Sequence, residues 1–562
     1  MNEESNIRMR HASPSFARAQ IAARDLTLAR AGTALILGLD LALDRDSRVA
    51  IVGENGRGKS TLLNALAGSA DAGELLGGSV HRQGRIAFGA QDLPAHDGRT
   101  VGDALAFAIR DSLDCLAELD RAGEALASGR NGSESSAAEQ RYASALDAAV
   151  SLDAWDAERR VTIALEALGA ETDREYPLSR LSVGQRYRVR LACLLGGDAE
   201  LLLLDEPSNH LDAEALAFLT ERLRNRAGGF AIVSHDRQLL RDVAATFVDL
   251  DPSPDGRPRV FGGGYEAWLA ARKAERARWE QQYQEQLETE RRLRDELEAA
   301  RDRLVDGWRP PKGTGKHQRA TRASSLVANV KRRQQLLEAR TVEIPEPPLG
   351  LSAPDWRVRL RGAVLSAEGV ALPGRLSGPV SLSLRAGDRL LVRGPNGAGK
   401  STLLSILAGR LEPGGGRVLR RDAARVSLLA QESELASGAL AGRSAASLYR
   451  ERAAELVARG VLPESRSVPL EQLGLLGSSE RARPVGTLSL GQRRRLDLAL
   501  CLLEQPDVLL LDEPSNHLSI ALVDELTEAL AALPCAVAVS THDRGMLNDL
   551  AEWPALELSR LP

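Results

Sequence analysis

Lysine is scarce in this chain: of 73 basic side chains only six are lysines, Lys59, Lys273, Lys312, Lys316, Lys331 and Lys400. A bias of that kind reflects genomic base composition more than chemistry, so arginine abundance alone argues little for nucleic acid, and each lysine becomes informative. The formal net charge of −4 excludes a chain that is basic all over. Cysteine is scarcer still. Cys115, Cys193, Cys501 and Cys535 lie far apart without CxxC spacing, which excludes a disulfide framework and a zinc module and leaves buried small hydrophobes. No uncharged apolar run reaches the roughly 18 to 20 residues a bilayer requires. The first twenty residues, MNEESNIRMRHASPSFARAQ, carry no apolar core before a cleavage site. The expectation is a cytoplasmic protein with no membrane partner. What is present is 562 residues, 43% hydrophobic and 27% charged on both signs, a globular composition sufficient for about three or four domains.

The chain is internally duplicated. GENGRGKSTLLNALAG from Gly53 recurs as GPNGAGKSTLLSILAG from Gly394, LSVGQR at Leu181 as LSLGQR at Leu488, LLLLDEPSNHL at Leu201 as LLLDEPSNHL at Leu509, and SHDR at Ser234 as THDR at Thr541. Lys59 and Lys400 are 341 residues apart, whereas Ser182/Ser489, Glu206/Glu513 and His235/His542 are each 307 apart. The first copy therefore holds about 33 extra residues between Gln91 and Ser182 (Gln91 to Gln431 is 340, and 340 − 307 = 33). Leu105, Ile109, Leu113, Leu116 and Leu119 predict a helix over 101–128, and a second is expected over 137–155 after the SGRNGSESS loop. The hairpin carries 12 acids against 4 arginines over 101–158, which fits a protein contact or a solvated spacer better than a phosphate partner.

Between the copies, 265–339 lacks strand signals and reads as two long helices, over about 265–304 and 320–340, around the turn GWRPPKGTGK. From Gly307 to Leu337 there are eight basic residues, Arg309, Lys312, Lys316, Arg319, Arg322, Lys331, Arg332 and Arg333, and no acid. Like charges so concentrated call for a polyanion. Trp308, Pro310 and Pro311 make the tip apolar enough to reach past phosphate, although Trp308 could equally pack between the two helices.

RVAIVGENG and RLLVRGPNG each read as a strand ending in glycine, and an apolar helix follows, the context that makes GxxxxGK[ST] a phosphate-binding loop. The loop residues are Gly53, Asn55, Gly56, Gly58, Lys59, Ser60 and Thr61 in one copy and Gly394, Asn396, Gly397, Gly399, Lys400, Ser401 and Thr402 in the other. Their backbone N–H groups are expected to wrap phosphate, the lysines to reach the β- and γ-oxygens, and Ser60 and Ser401 to ligate Mg²⁺. The leucine runs predict buried parallel strands. Asp205 and Asp512 at their ends would hold the metal, with Glu206 and Glu513 polarising the attacking water. His235 and His542 suit γ-phosphate sensing, and Gln91 and Gln431 a metal and water contact.

Together these motifs resemble tandem ATP-binding cassette proteins over nearly the whole chain. The DEPSNHLD motif, the FGGGYEAW segment, the basic hairpin linker and the extra hairpin make the chain similar to the ABC-F family. The resemblance implies an α/β fold of two tandem P-loop ATP-binding cassette domains, over 18–262 (arm at 101–158) and 355–562, joined by a long α-helical hairpin linker over 263–345. It implies ATP and Mg²⁺ as ligands and a monomer whose two cassettes form a head-to-tail dimer within one chain. Ser489, Gly491 and Gln492 would face the Lys59 site, and Ser182, Gly184 and Gln185 the Lys400 site. It further implies a ribosome-binding ATPase whose linker reaches large-subunit rRNA, the P-site tRNA and the peptidyl transferase centre, in antibiotic protection or translation control. Two other classes fit less well. An exporter subunit would need a membrane partner for which no docking surface is legible, and a chromosome-associated ATPase would need zinc cysteines or much longer coiled coils. Three departures stand out: Val183 and Leu490 replace the first glycine of LSGGQ, Ser519 stands where the first copy has Asp212, and no aromatic residue precedes either phosphate loop, where 26–36 offers only Arg30.

Overall fold

The computed structural model describes residues 20–89, 98–128, 133–209, 211–306, 331–332, 335, 345–347, 350–354, 356, 358, 362–395, 397–433, 435, 440–516 and 518–559. Gln91, Asn396, Arg309, Lys312, Lys316, Arg319, Arg322, Arg333, the tip residues Trp308, Pro310 and Pro311, and nearly all of the second linker helix lie outside them. The chain divides into two compact units. One comprises Met1–Asp251, Pro258–Glu266 and Gly350–Pro562, and the other Pro252–Arg257 and Ala267–Leu349.

In the first unit each copy builds the same pair of sheets. Cassette one has a six-stranded sheet in the order Ile86–Gly89, Leu201–Asp205, Gly229–Val233, Arg48–Val52, Thr246–Asp249, Arg259–Gly262, parallel except for the last pair. Cassette two repeats it with five parallel strands, Val426–Leu429, Val508–Asp512, Ala536–Ser540, Arg389–Arg393 and Ala555–Glu557. The central strands are buried on both faces, so LLLLD and VLLLD read as continuous apolar runs instead of alternating ones. A three-stranded antiparallel sheet accompanies each, in the order Thr33–Leu43, Gln20–Arg30, Glu74–Gln83 and Val380–Arg385, Ala363–Ala371, Gly415–Arg420. In both cassettes the phosphate-loop helix, Lys59–Ala67 or Lys400–Leu407, packs into the core between these sheets.

The arm differs from its expected boundaries for local reasons. Its first helix breaks at Ile109 into Val101–Ala108 and Arg110–Ala127. The new start is capped from a distance, because Asp198 accepts both the Ser112 N–H (2.8 Å) and its hydroxyl (2.7 Å). The partner helix runs Ser133–Leu152 and stops where Asp153 takes a left-handed φ of 50°. Gly264–Asp306 is a 43-residue helix whose first three residues belong to the first unit and the rest to the second, laced by Arg276–Glu280 and Arg294–Glu290 pairs at four-residue spacing. Lys331 and Arg332 are helical and exposed. Among the described residues no helix is long and apolar enough to cross a membrane.

The cassettes meet through a buried charge cluster. Arg237 of cassette one, 1% exposed, binds Asp524 and lies 3.5 Å from Asp543 and 3.1 Å from Asp549, all of cassette two. Tyr265 donates its hydroxyl to Asp524 at 3.0 Å. Burial alone would depress the guanidinium, and Asp543 and Asp524 more than reverse that. Gly545 leaves the room, since a Cβ there would sit 3.0 Å from the Arg237 side chain. Arg237→Ala would leave these carboxylates buried without their counter-charge, a loss of about 3–5 kcal/mol. Denaturant unfolding should register it, and a midpoint equal to that of the native chain would contradict the cluster's role.

Candidate active site

The sheet order brings three strand ends together in each cassette: the strand before the phosphate loop, the one ending in aspartate, and between them the one that precedes histidine. This is the carboxyl edge at which parallel α/β sheets bind ligands. Gly58 and Gly399 precede their helices at φ of 93° and 92°, with no side-chain cap and no acid in the first turn. Those first-turn N–H groups and the helix dipole are therefore suited to hold an anion. The close approach is strict in cassette two, where a Cβ on Gly399 would lie 2.1 Å from the Arg375 carbonyl oxygen.

Lys59 is 8% exposed, and its ammonium donates to the carbonyls of Gly53 (2.8 Å) and Glu54 (3.2 Å) and to Asn55 Oδ1 (3.3 Å). Lys400 does likewise to Gly394 (2.8 Å) and Pro395 (3.1 Å) and approaches His542 Nε2 at 2.7 Å. Burial lowers both lysines, opposed mainly by Glu206 and Glu513 respectively. His542 is lowered too, by burial and then by Lys400, which favours its neutral form. Asp205, raised by burial, takes a hydrogen bond from Ser60. The Oδ1 atoms of Asp205 and Asp512 are buried and have no hydrogen-bond partner. An oxygen-seeking divalent cation such as Mg²⁺ fits such atoms beside Ser60 and Ser401, because a buried acceptor left unpaired is costly.

Glu206 and Glu513 follow directly, and both occupy the left-handed region, at φ of 49° and 45°. Their own N–H groups donate to Val233 and Ser540 across the sheet, both at 2.8 Å. Each carboxylate accepts the backbone N–H of the histidine, at 3.2 Å from His235 and 3.1 Å from His542. The imidazole Nε2 atoms lie 3.3 and 3.6 Å from the same carboxylates. Burial pushes both glutamates up to about 7, the range of a general base at neutral pH.

The LSxGQ motif proves to be a capping box. Ser182 Oγ accepts the Gln185 N–H (3.3 Å) while Gln185 Oε1 accepts the Ser182 N–H (3.0 Å), and Ser489 and Gln492 repeat this at 3.2 and 2.9 Å. Val183 and Leu490, in place of glycine, are exposed there. The following helices reach back to the strained turns. The Tyr187 hydroxyl donates to the Glu206 carbonyl (3.2 Å), and Arg494, its counterpart 307 residues on, donates to the carbonyls of Asp512 (2.7 Å) and Glu513 (2.9 Å).

A cavity of about 500 Å³ contains Lys400, Ser401, Thr402, Gly397, Gly399, Gln431, Glu513 and His542, together with Gly374, Arg375 and Asn516. A second, of about 530 Å³, is shared by Asn55, His235, Asp236 and Arg237 of cassette one and Glu513, Asn516, His542 and Arg544 of cassette two, among others. Across the interface Arg495, six residues after Ser489, binds Glu54 of the Lys59 loop. Ser182, Gly184 and Gln185 line a cavity with Arg188. Sequence reading missed Tyr187, Arg494, Arg375 and the Glu54–Arg495 pair. The first two share a register position that aligning the copies reveals, but nothing in the sequence links them to a carbonyl.

The family model described as ABC transporter matches residues 36–209 and 378–516. The chain is 38% identical over 529 residues to the tylosin resistance ATP-binding protein TlrC of Streptomyces fradiae, covering 90% of this chain and 92% of that protein. It is 32% identical over 544 residues to an antibiotic resistance protein of Mycobacteroides abscessus, covering 91% and 92%. With the energy-dependent translational throttle protein EttA of Mycobacterium tuberculosis it shares 31% identity over 518 residues, 89% and 85% of the two chains. Among solved structures, RNase-L Inhibitor aligns over 94% of this chain and 86% of its own at a TM-score of 0.50 and 18% identity, a likeness of fold. Motifs, paired sheets and relatives agree that the chain belongs to the ATP-binding cassette family and, within it, to the ABC-F proteins.

Proposed function

We propose that this chain is a cytoplasmic, monomeric ATP hydrolase that clamps two ATP molecules between its cassettes, binds the ribosome in that closed state and extends its basic linker toward the P-site tRNA and the peptidyl transferase centre, protecting the ribosome from a macrolide-like antibiotic. The observation that carries the hydrolytic part is the pair of buried glutamates beside phosphate loops at a shared sheet edge. The ribosomal part rests on the acid-free run Arg309, Lys312, Lys316, Arg319, Arg322, Lys331, Arg332 and Arg333 and on kinship with a translational throttle protein. Kinship with tylosin resistance and antibiotic resistance proteins supports protection; the throttle protein favours translation control as the second reading.

In this reading Lys59 and Lys400 exchange their carbonyl partners for the β- and γ-oxygens, and the uncapped helix starts hold the phosphates. Ser60 and Asp205, with Ser401, Gln431 and Asp512, would hold Mg²⁺, which when bound neutralises charge building on the transferred phosphoryl group. Gln91 is assigned the same part in cassette one. Glu206 and Glu513 accept a proton from the attacking water, and His235 and His542 hold those carboxylates in position and face the γ-phosphate. Ser182 and Ser489 offer hydroxyls from helix starts to the opposite phosphate.

Replacing Glu206 and Glu513 together by Gln should abolish turnover while ATP binding persists, so that the variant pellets with 70S ribosomes in ATP but not in ADP. Adding neutral residues at Lys312, Lys316, Arg319 and Arg322 should weaken pelleting and flatten its salt dependence. Continued hydrolysis, or pelleting indifferent to nucleotide, would refute the assignment. A base must be ionised to act, and both carboxyls titrate near 7. Turnover should therefore climb between about pH 6 and pH 8, and a profile flat across that window would remove the glutamates from the role. Expression in a drug-sensitive host should raise minimum inhibitory concentrations for macrolides, lincosamides, streptogramins or pleuromutilins; no rise for any of them would leave translation control as the function.

A further inference from the structure

The cavity of about 500 Å³ in cassette two draws its lining from two sheets. Glu513 and His542 follow strand ends of the parallel sheet, whereas Gly374 and Arg375 belong to the loop between the antiparallel strands Ala363–Ala371 and Val380–Arg385. The phosphate-loop helix lies between those sheets, so this loop reaches the site from the sheet that carries no hydrolytic group. Its backbone is pinned. The N–H groups of Arg375 (3.0 Å) and Leu376 (2.9 Å) both donate to the Leu372 carbonyl, and Leu376 is buried in the core. The Arg375 carbonyl is the atom that Gly399 of the phosphate loop approaches so closely. The guanidinium, by contrast, is exposed and makes no hydrogen bond or ion pair with any described residue. In cassette one a two-residue turn, Ala31 and Gly32, joins the corresponding strands, and Leu35 stands over Gly58.

A triphosphate held by Lys400 and the helix start leaves a ribose and a base to be housed. Among the described residues of the lining, no phenylalanine, tyrosine or tryptophan offers a ring to stack on. We propose that the Arg375 guanidinium is the nucleobase contact of cassette two, and that this site therefore accepts guanosine triphosphate alongside ATP and ranks guanine above adenine. The reason is the polarity of the hydrogen bonds. A guanidinium is a planar fork of donors with no acceptor. Guanine turns two acceptors, O6 and N7, toward such a fork, whereas adenine sets its N6 amino donor beside N7. Stacking of the same plane on a base adds affinity for either purine and chooses between them little. A two-pronged contact of this kind discriminates about tenfold. The inference rests on the nucleotide-binding part of the proposed function and makes no use of the ribosome.

The test is displacement of mant-GTP, with Mg²⁺ present, from the full-length protein carrying Lys59→Ala, Glu206→Gln and Glu513→Gln, so that only the Lys400 site is read and nothing is hydrolysed. Unlabelled GTP should displace the probe at about one tenth of the ATP concentration. Inosine triphosphate, which keeps O6 and N7 but lacks the 2-amino group, should match GTP. The 7-deaza analogue of GTP, which lacks N7, should fall back about tenfold to the level of ATP. Arg375→Ala should weaken GTP more than ATP and bring the two within about twofold of each other. Arg375 is exposed, so this variant is expected to fold. Arg375→Tyr, which offers a ring in place of donors, should recover affinity for both purines without the preference. The proposal is overturned by ATP displacing as well as or better than GTP, by a 7-deaza analogue equal to GTP, by an Arg375→Ala protein with the preference intact, or by an Arg375→Tyr protein that recovers nothing. Failure of the parent protein to bind any of these triphosphates would instead overturn the nucleotide reading beneath it.

Discussion

Each cassette is organised around one electrostatic constraint: an ammonium and two adjacent carboxylates are taken out of water at the same edge of a parallel sheet. Lys59, Asp205 and Glu206 are each at most 8% exposed, as are Lys400, Asp512 and Glu513. Ions of both signs so placed are tolerated only near one another and near a further polar partner. The surrounding apolar strands keep them in place, and the order of those strands decides which charges meet. Everything else in the site follows from that edge, including the histidine that closes over the carboxylate and the glycine that lets a loop pass close to its neighbour.

Much of this was legible in the linear sequence because the chemistry is carried by short contiguous motifs. A strand, a glycine loop and a helix appear in GENGRGKSTLLNALAG in the order in which they act, and the leucine run before Asp205 announces a strand covered on both faces. The repeat made every motif visible twice. The adjacency of Glu206 to His235 was readable only as family likeness, since the two are 29 residues apart and meet through neighbouring strand ends.

What stayed hidden are contacts between side chains far apart in the chain. Nothing local in SHDRQLL says that Arg237 is almost wholly enclosed by three aspartates of the other cassette, because solvent-facing arginines in this chain look the same. The break at Ile109 was equally opaque: its cause, Asp198, lies 86 residues from Ser112, the residue it caps. Periodicity sees which face of a helix is apolar and is blind to a distant carboxylate that starts a new one.

The left-handed turns at Glu206 and Glu513 carry a mechanical consequence. A non-glycine residue is held there at a cost of about 1–3 kcal/mol, and Tyr187 on one side and Arg494 on the other grip the carbonyls of those very turns. The helix that opens with the capped serine is thus also a lever whose far arm rests on a loaded spring. Tilt it, and the carboxylate at the other end cannot stay where it was. Phenol and guanidinium are unequal grips, the one on the Glu206 carbonyl and the other on the carbonyls of both Asp512 and Glu513 with a charged donor, so the same tilt would slip more readily in the first cassette than in the second.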